Sequence, residues 1–532
     1  MIAEKFRFLI KMPDLKRKKL FLLLFFLALG LTLRLNHLAG RSLWTDEFFT
    51  FFQSSGHGEI QGFLNSISRQ MPPKVFKVKE FKAMLKNDGR KNIQDVNNGL
   101  IKEDTHPPFY FWTMYFWMRL FGDSVFAVRL FSVSMGLFSI PLAYVVTRHL
   151  FNEKAAICAA LFVSISPFAV RYSQEARAYT LIMVLGLLSW LFLLRLEKQN
   201  KNFDAFGFTI FNSLGIYTHY FYIFISFAQF LYFTITHRKD SRLLDKFYLS
   251  FLSSLLFLLP WAEFVVLKGY NFLLVEWPFG RPGIIDKVYN LFVGNSRYIL
   301  MFDARLIFLQ ILVSVSLILF LFISVAIFKD VIAKYLRNFI FCLTIFLVPL
   351  LSMFGVDIIQ HSVLLKQERF WMFSFLGFIP LAGYFLSYLF LKRKLIFYLV
   401  IWLMLVSSFS VSNLQFGPAP KDVSAWINQE SGGRRAAVVV WNVRSVVVAQ
   451  SYYLDGELYL IPVSDEGQFR SGIKEAYPYV EKLFLVRHFH RDDPGLMDKG
   501  AMEIKDAGLG FCLEKNISRN EISVAEYVKC KL

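Results

Sequence analysis

A few short polar segments interrupt an otherwise apolar chain, and they hold the residue types that acid–base and phosphate chemistry need. Trp44-Thr45-Asp46-Glu47 places two adjacent carboxylates directly after one apolar run, and His106-Pro107-Pro108 opens another. Arg171-Tyr172-Ser173-Gln174-Glu175-Ala176-Arg177-Ala178-Tyr179 joins two further runs, as does Tyr217-Thr218-His219-Tyr220. Lys366-Gln367-Glu368-Arg369 precedes a later one. A carboxylate can serve as a general base, and guanidinium groups hold phosphate bidentately. Carboxylates beside cations at a membrane edge suggest a site for a phosphate-bearing lipid and for a nucleophile that must lose a proton.

Taken singly, each segment also has a plain structural reading. Asp46 and Glu47 suit a solvated helix start, and Pro107 and Pro108 suit a first helical turn. Glu175 and Arg177 could form an exposed ion pair of little energetic consequence. His219 could be a satisfied interfacial residue, and Lys366 and Arg369 could snorkel to headgroups. The order of the segments, and the side of the membrane they share, carry more information than any one of them.

That side follows from the elements that must position them. Of 532 residues, 55% are hydrophobic and 18% aromatic, with 61 Phe. Apolar runs approaching bilayer-spanning length fall at 20–38, 125–147, 154–171, 177–196, 203–217, 219–236, 247–266, 303–327, 338–355, 370–390 and 395–412. Each can satisfy its own backbone as a helix, as hydrocarbon demands. The fold class expected is an all-α polytopic membrane protein of about eleven transmembrane helices with a small α/β external C-terminal domain. The stretch 107–121 is short, carries Arg119 near its end and reads as an interfacial helix. With it outside the count, the basic loops around Arg148, Lys198, Lys239, Lys334 and Arg393 all share the side of the basic N-terminus, as the positive-inside rule requires. The Lys-rich loop 39–124 lies opposite; loops longer than roughly 60 residues translocate largely regardless of charge. The N-terminus is then cytosolic, the C-terminus external, and the polar segments above meet on the external face.

The expected division is a membrane-embedded part over 1–412 and a soluble external part over 413–532, opened by Gly417-Pro418-Ala419-Pro420. Within the second, 422–430 suits a short helix, and Val438–Trp441, Leu458–Val463 and Leu483–Val486 read as strands. Cys158 and Cys342 fall inside apolar runs and read as packing residues; Cys512 and Cys530 could pair in an oxidising compartment. Lys16 to Lys19 followed by an apolar run resembles a signal peptide without a clean cleavage site, and reads as an uncleaved first span. The net charge of +19 resides in short connectors, with no helix-turn-helix or zinc spacing, so anionic lipid and phosphate are expected as partners and nucleic acid is not.

The ordered set Leu43-Trp44-Thr45-Asp46-Glu47, His106-Pro107-Pro108-Phe109-Tyr110, Ala127-Val128-Arg129-Leu130, Ser166-Pro167-Phe168 through Tyr179, Tyr217-Thr218-His219-Tyr220 and Gln367-Glu368-Arg369-Phe370 resembles the GT-C glycosyltransferases of the protein O-mannosyltransferase and lipid A aminoarabinose transferase superfamily. The resemblance covers about residues 20–410. It implies inverting transfer of a sugar from a polyprenyl-phosphate donor to a glycan, lipid or protein acceptor on the external face. It places the catalytic carboxylate at Asp46, with Glu47 assisting, and donor-phosphate contacts at His106, Arg171, Arg177 and Arg369. Trp44, Tyr110, Tyr172, Glu175, His219 and Lys366 are expected to line the substrate. The Lys-rich insertion between Glu47 and His106 departs from the pattern, as does the external domain, and both bear on the acceptor.

No cofactor is required by this reading. The first loop has no Asp-x-Asp element, and although some relatives use a divalent ion, metal dependence is the less favoured alternative here. A transporter or flippase of a lipid-linked or anionic substrate would also explain many spans. It would place charges near the bilayer midplane and repeat the chain in two halves, neither of which the sequence shows. The expected location is a bacterial inner membrane.

Overall fold

The computed structural model describes residues 17–58, 75–83, 86, 89–103, 106–261, 283–301, 329–362, 364–414, 420–441, 451–463, 466–488, 511–519 and 522–530. The expected span at 303–327 lies outside the described residues. Among them, six helices are long and apolar enough to cross a membrane: Val125–Leu150, Tyr179–Gln199, Ser241–Trp261, Lys334–Ile359, Glu368–Lys392 and Lys394–Asn413. The helix Arg17–Leu35 stands where the first span is expected but is loaded with Arg17, Lys18, Lys19 and Arg34. Asn202–Thr218 and Tyr222–Thr236 are shorter, at 17 and 15 residues. The chain is an integral membrane protein, mostly helical, with a small sheet domain at its C-terminal end.

One expected span is not continuous. In place of a single helix over 154–171, the chain forms Glu153–Ile165 and Pro167–Ser173, bent by 53°. The cause is local. Pro167 has no N–H to give the Val163 carbonyl, and Ser166 caps the second piece by accepting from Ala169 N at 3.4 Å. Carbonyls released by such a break must find other donors inside a membrane protein. Buried Arg34 donates Nη2 to Val163 O and Nη1 to Ser164 O, each at 2.9 Å, while Ser408 Oγ donates to Ile165 O at 2.6 Å. Arg34 Nε reaches on to Ser173 Oγ at 3.0 Å. Gly136 permits that approach, because a Cβ there would lie 2.1 Å from Ser173 Oγ. The bend turns the short second helix, which carries Arg171 and leads into the polar segment 174–178.

The C-terminal domain is built on a six-stranded sheet in the order β1-β3-β2-β4-β6-β5, where β1 is Phe76–Lys77, β2 Ala436–Trp441, β3 Tyr459–Val463, β4 Lys482–His488, β5 Phe511–Arg519 and β6 Ile522–Lys529. The three central strands are parallel and the others antiparallel. β2 is apolar throughout because both its faces are covered. Val438 and Val440 face the side of Val423 and Ile427 from the helix Pro420–Ser431; Ala437 and Val439 face Phe469 and Ile473 from Glu466–Ala476. Cys512 and Cys530 are joined as a disulfide, tying β5 to the residue after β6. The sheet is larger than the three strands expected. Moreover, β1 comes from the loop 39–124, so the sheet draws on both sides of the division placed at 412.

Candidate active site

The helix Thr45–Ser55 starts immediately after Trp44 and ends on Gly56, whose φ of 83° is a left-handed conformation suited to glycine. Asp46 and Glu47 lie in its first turn, where the helix dipole favours negative charge. Their side chains point to different duties. Glu47 is wholly buried, receiving Arg129 Nε at 2.8 Å and Nη2 at 2.7 Å, Ala176 N at 2.8 Å and Trp44 N at 3.3 Å. Arg129 spends its remaining donors on the carbonyls of Leu38, Arg41 and Ser42. Removing either member of such a pair leaves a buried unpaired charge, a cost of about 3–5 kcal/mol. Glu47, expected to assist catalysis, is thus occupied by structure: it fastens the segment before the helix, the helix itself and the turn at Ala176 to one another.

Asp46 is the more open carboxylate. Its Oδ2 lies 3.2 Å from Arg369 Nη1. Arg177 Nη1 donates to the Asp46 carbonyl at 3.1 Å, and Arg177 Nη2 stands 3.5 Å from His106 Nε2. The His106 ring meets that of His219 edge-on, centroids 5.7 Å apart, and the Arg369 guanidinium lies over the Trp44 ring at 5.4 Å. Asp46, His106, Arg177 and Arg369 therefore converge at one place, with Trp44 and His219 at its edges. The four come from separate parts of the chain.

The turn carrying Arg369 is fixed from below. Buried Asp357 accepts from Ser362 Oγ and Leu364 N at 2.6 Å each and from Leu365 N at 3.0 Å, and Trp371 Nε1 donates to Leu365 O at 2.9 Å. The turn carrying Arg177 is fixed by Gln174, whose Nε2 donates to Leu33 O, Arg34 O and Asn36 O while its Oε1 accepts from Arg41 Nη2 at 2.8 Å.

Arg171 belongs to a second, adjoining group. Its Nε lies 3.3 Å from Glu175 Oε1 and its Nη1 bonds Glu368 Oε2; Arg297 Nε stands 3.5 Å from Glu368 Oε1. Glu368 is thus answered by two guanidiniums, those of Arg171 and Arg297. Burial raises the Glu175 carboxyl, and the nearby Glu47 charge adds to that. Arg171 is thus engaged by two carboxylates rather than presented alone to an anion. His219 is held well below its ordinary imidazole range, first by burial, then by His106, Arg177 and Arg369. Its Nδ1 accepts from Phe221 N at 3.1 Å, so the neutral ring carries its proton on Nε2.

Two aromatics expected to line the substrate lie in the core instead. Tyr110 is packed against Phe111 and Phe131, and Tyr172 against Phe168 and Tyr179, because each sits on the inward face of its helix. Lys366 is exposed. Arg129, Gln174, Arg297 and Asp357 had no assigned role in the sequence reading. For Arg129 the signal was present: an arginine inside the apolar run after Val125 must have a buried acceptor. Among the described residues no group of three or more His, Cys, Asp or Glu side chains is placed to hold a metal ion.

The helical body thus gathers Asp46, His106, Arg177 and Arg369 from four parts of the chain, with a small sheet domain packed beside it. Residues 105–264 match the family model of the dolichyl-phosphate-mannose-protein mannosyltransferases, which bears out the resemblance read from the sequence. The matched stretch contains His106, Arg129, Arg171, Arg177 and His219; Asp46 and Arg369 lie outside it. Among curated proteins none matches. Solved structures similar to the chain include the apo form of ArnT from Cupriavidus metallidurans, at 14% identity and a TM-score of 0.43, covering 94% of this chain and 97% of that one. The same protein bound to undecaprenyl phosphate gives 13%, 0.44, 94% and 97%. The oligosaccharyltransferase of Archaeoglobus fulgidus, in complex with zinc and sulfate, gives 13% and 0.46, covering 96% of this chain and 73% of that one.

Proposed function

We propose that the protein transfers a sugar from a polyprenyl-phosphate carrier to a nucleophilic acceptor at the external face of the membrane. The observation that carries this reading is the convergence of Asp46, Arg177, Arg369 and His106, with Asp46 Oδ2 3.2 Å from Arg369 Nη1. A base and a phosphate-holding pair of guanidiniums are the parts that displacement of a phosphate from an anomeric carbon needs.

In the proposed step, Asp46 takes the proton of an acceptor hydroxyl or amine as that atom bonds to the anomeric carbon. The carbon–oxygen bond to the lipid phosphate breaks, its electron pair leaves with the phosphate, and the sugar inverts. Arg369 and Arg177 hold the phosphate oxygens and stabilise the charge that grows on them. His106 donates a hydrogen bond to the same oxygens. The phosphate is a weak base, so it departs without a dedicated acid. Arg171 acts at one remove, anchoring Glu368 beside Arg369. Trp44, beneath Arg369, holds that guanidinium's plane against its ring. The Cys512–Cys530 disulfide supports an oxidising, external setting for the C-terminal domain.

The test is a comparison of lipid-linked sugars and surface glycans in cells with and without the gene. Accumulation of one polyprenyl-phosphate sugar, with loss of that sugar from a surface glycan, is the expected result. Unchanged pools of both would remove the reading.

A further inference from the structure

The C-terminal domain is fastened to the Asp46 helix more closely than a neighbouring module needs to be. The backbone N–H of Leu43, just ahead of that helix, donates to Tyr453 Oη at 2.8 Å. The Tyr452 ring meets Phe48 and Phe51, on the helix itself, edge-on at centroid distances of 5.8 and 6.0 Å. Lys421 donates its N to Ser42 Oγ at 3.1 Å and its Nζ to Gly40 O at 3.0 Å. Farther along the same external loop, β1 pairs with β3, Val78 N donates to Leu458 O at 2.9 Å, and Lys79 N donates to Gly456 O at 3.0 Å.

These attachments share one anchor. Asn428, on the helix Pro420–Ser431, donates Nδ2 to Tyr453 O at 3.0 Å and accepts from Asp455 N at 2.8 Å. The segment 451–458 is thereby held to the sheet domain on one side, and it grips the external loop before, on and after the Asp46 helix on the other. The first turn of a helix leaves N–H groups without helical partners, so its placement depends on contacts from outside the helix. Here that turn carries the base, and its outer support comes from a chain segment four hundred residues away in the sequence numbering.

We propose that Tyr452 and Tyr453 are positioning residues for Asp46, and that the external domain is a working part of the transferase site which sets where the base stands. The inference rests on the assignment of Asp46 as base. Transfer rates respond steeply to such placement: a shift of about 1 Å at a reacting group can cost about a hundredfold.

The test uses full-length protein in lipid nanodiscs carrying Tyr453→Phe or, as a second variant, Tyr452→Leu. Hydrogen–deuterium exchange is read over residues 43–50, undecaprenyl phosphate serves as the binding probe, and turnover is measured with a polyprenyl-phosphate sugar. For Tyr453→Phe the expected result is exchange faster by about tenfold confined to 43–50, unchanged affinity for undecaprenyl phosphate, and kcat lower by about tenfold at unchanged donor KM. Unchanged exchange in both variants, or faster exchange with unaltered kcat, would overturn the proposal. So would a fall in activity matched by an equal loss of undecaprenyl-phosphate sites, which marks misfolding alone. Should the wild-type protein transfer no sugar, the functional reading fails, and exchange over 43–50 still decides whether the tyrosines hold the helix.

Discussion

Two neighbouring carboxylates in one helical turn have been given different work by their surroundings. Glu47 is enclosed by Arg129 and backbone amides, whereas Asp46 faces a single guanidinium and retains access from the rim. The resemblance ranks Asp46 ahead of Glu47, but the physical reason lies outside the local sequence, because Arg129 is 82 positions away from Glu47 along the chain. At the same scale, buried His219 makes a prediction about pH. Its imidazole is held well below the usual range by burial and by the positive groups around it, so the folded protein keeps the ring neutral where the unfolded chain protonates it. The unfolded state then binds the extra proton, and stability from this group is present above about pH 6.5 and is lost as pH falls toward the folded value. His219→Phe, which preserves a ring against Phe370 and Phe373, should flatten the acid side of the profile. Thermal midpoints from pH 7.5 to 5 check this; parallel slopes for the two proteins would contradict it.

At the scale of elements, the broken helix decides which polar residues reach the rim. The hydropathy of 154–171 reads as one span, and Ser166-Pro167 within it was the available sign of a break. What the sequence could not supply is the partner: Arg34, on a different helix, satisfies the carbonyls that the proline releases. A charge in an apolar run needs such an explanation, and both Arg34 and Arg129 turn out to be committed to carbonyls, a hydroxyl or a carboxylate. Arg34→Met keeps much of the side-chain volume and removes the donors. Each carbonyl left without a partner costs about 1–3 kcal/mol. The variant should therefore unfold at a clearly lower temperature in detergent and lose the ordering of the helix Pro167–Ser173. A midpoint within a degree of wild type would show that other donors take over. The other elements followed from pattern more directly: the long apolar helices, and the central strands of a sheet buried on both faces. β1 could not be foreseen, since two residues of a Lys-rich loop carry no strand pattern until β3 is present to pair with them.

Over the whole molecule, the segments that the sequence grouped by sidedness meet at one place, but in two groups rather than one. Asp46, His106, Arg177 and Arg369 form the first; Arg171, Glu175, Glu368 and Arg297 form the second, in which the charges answer one another. Residue type and order were enough to gather the set. Dividing it required knowing which side of each turn faces which helix, information that lies in packing between segments far apart in the chain. The C-terminal domain adds to the arrangement, gripping the loop that carries Asp46. The account as a whole stands on Asp46 as the group that deprotonates the acceptor. Its most direct test is turnover of a polyprenyl-phosphate sugar by purified Asp46→Asn protein beside wild type, with undecaprenyl-phosphate binding measured on the same samples. A loss of about 10²–10⁴-fold in kcat with lipid-phosphate binding retained is the result expected for removal of a general base. Turnover equal to wild type in the asparagine variant would contradict it.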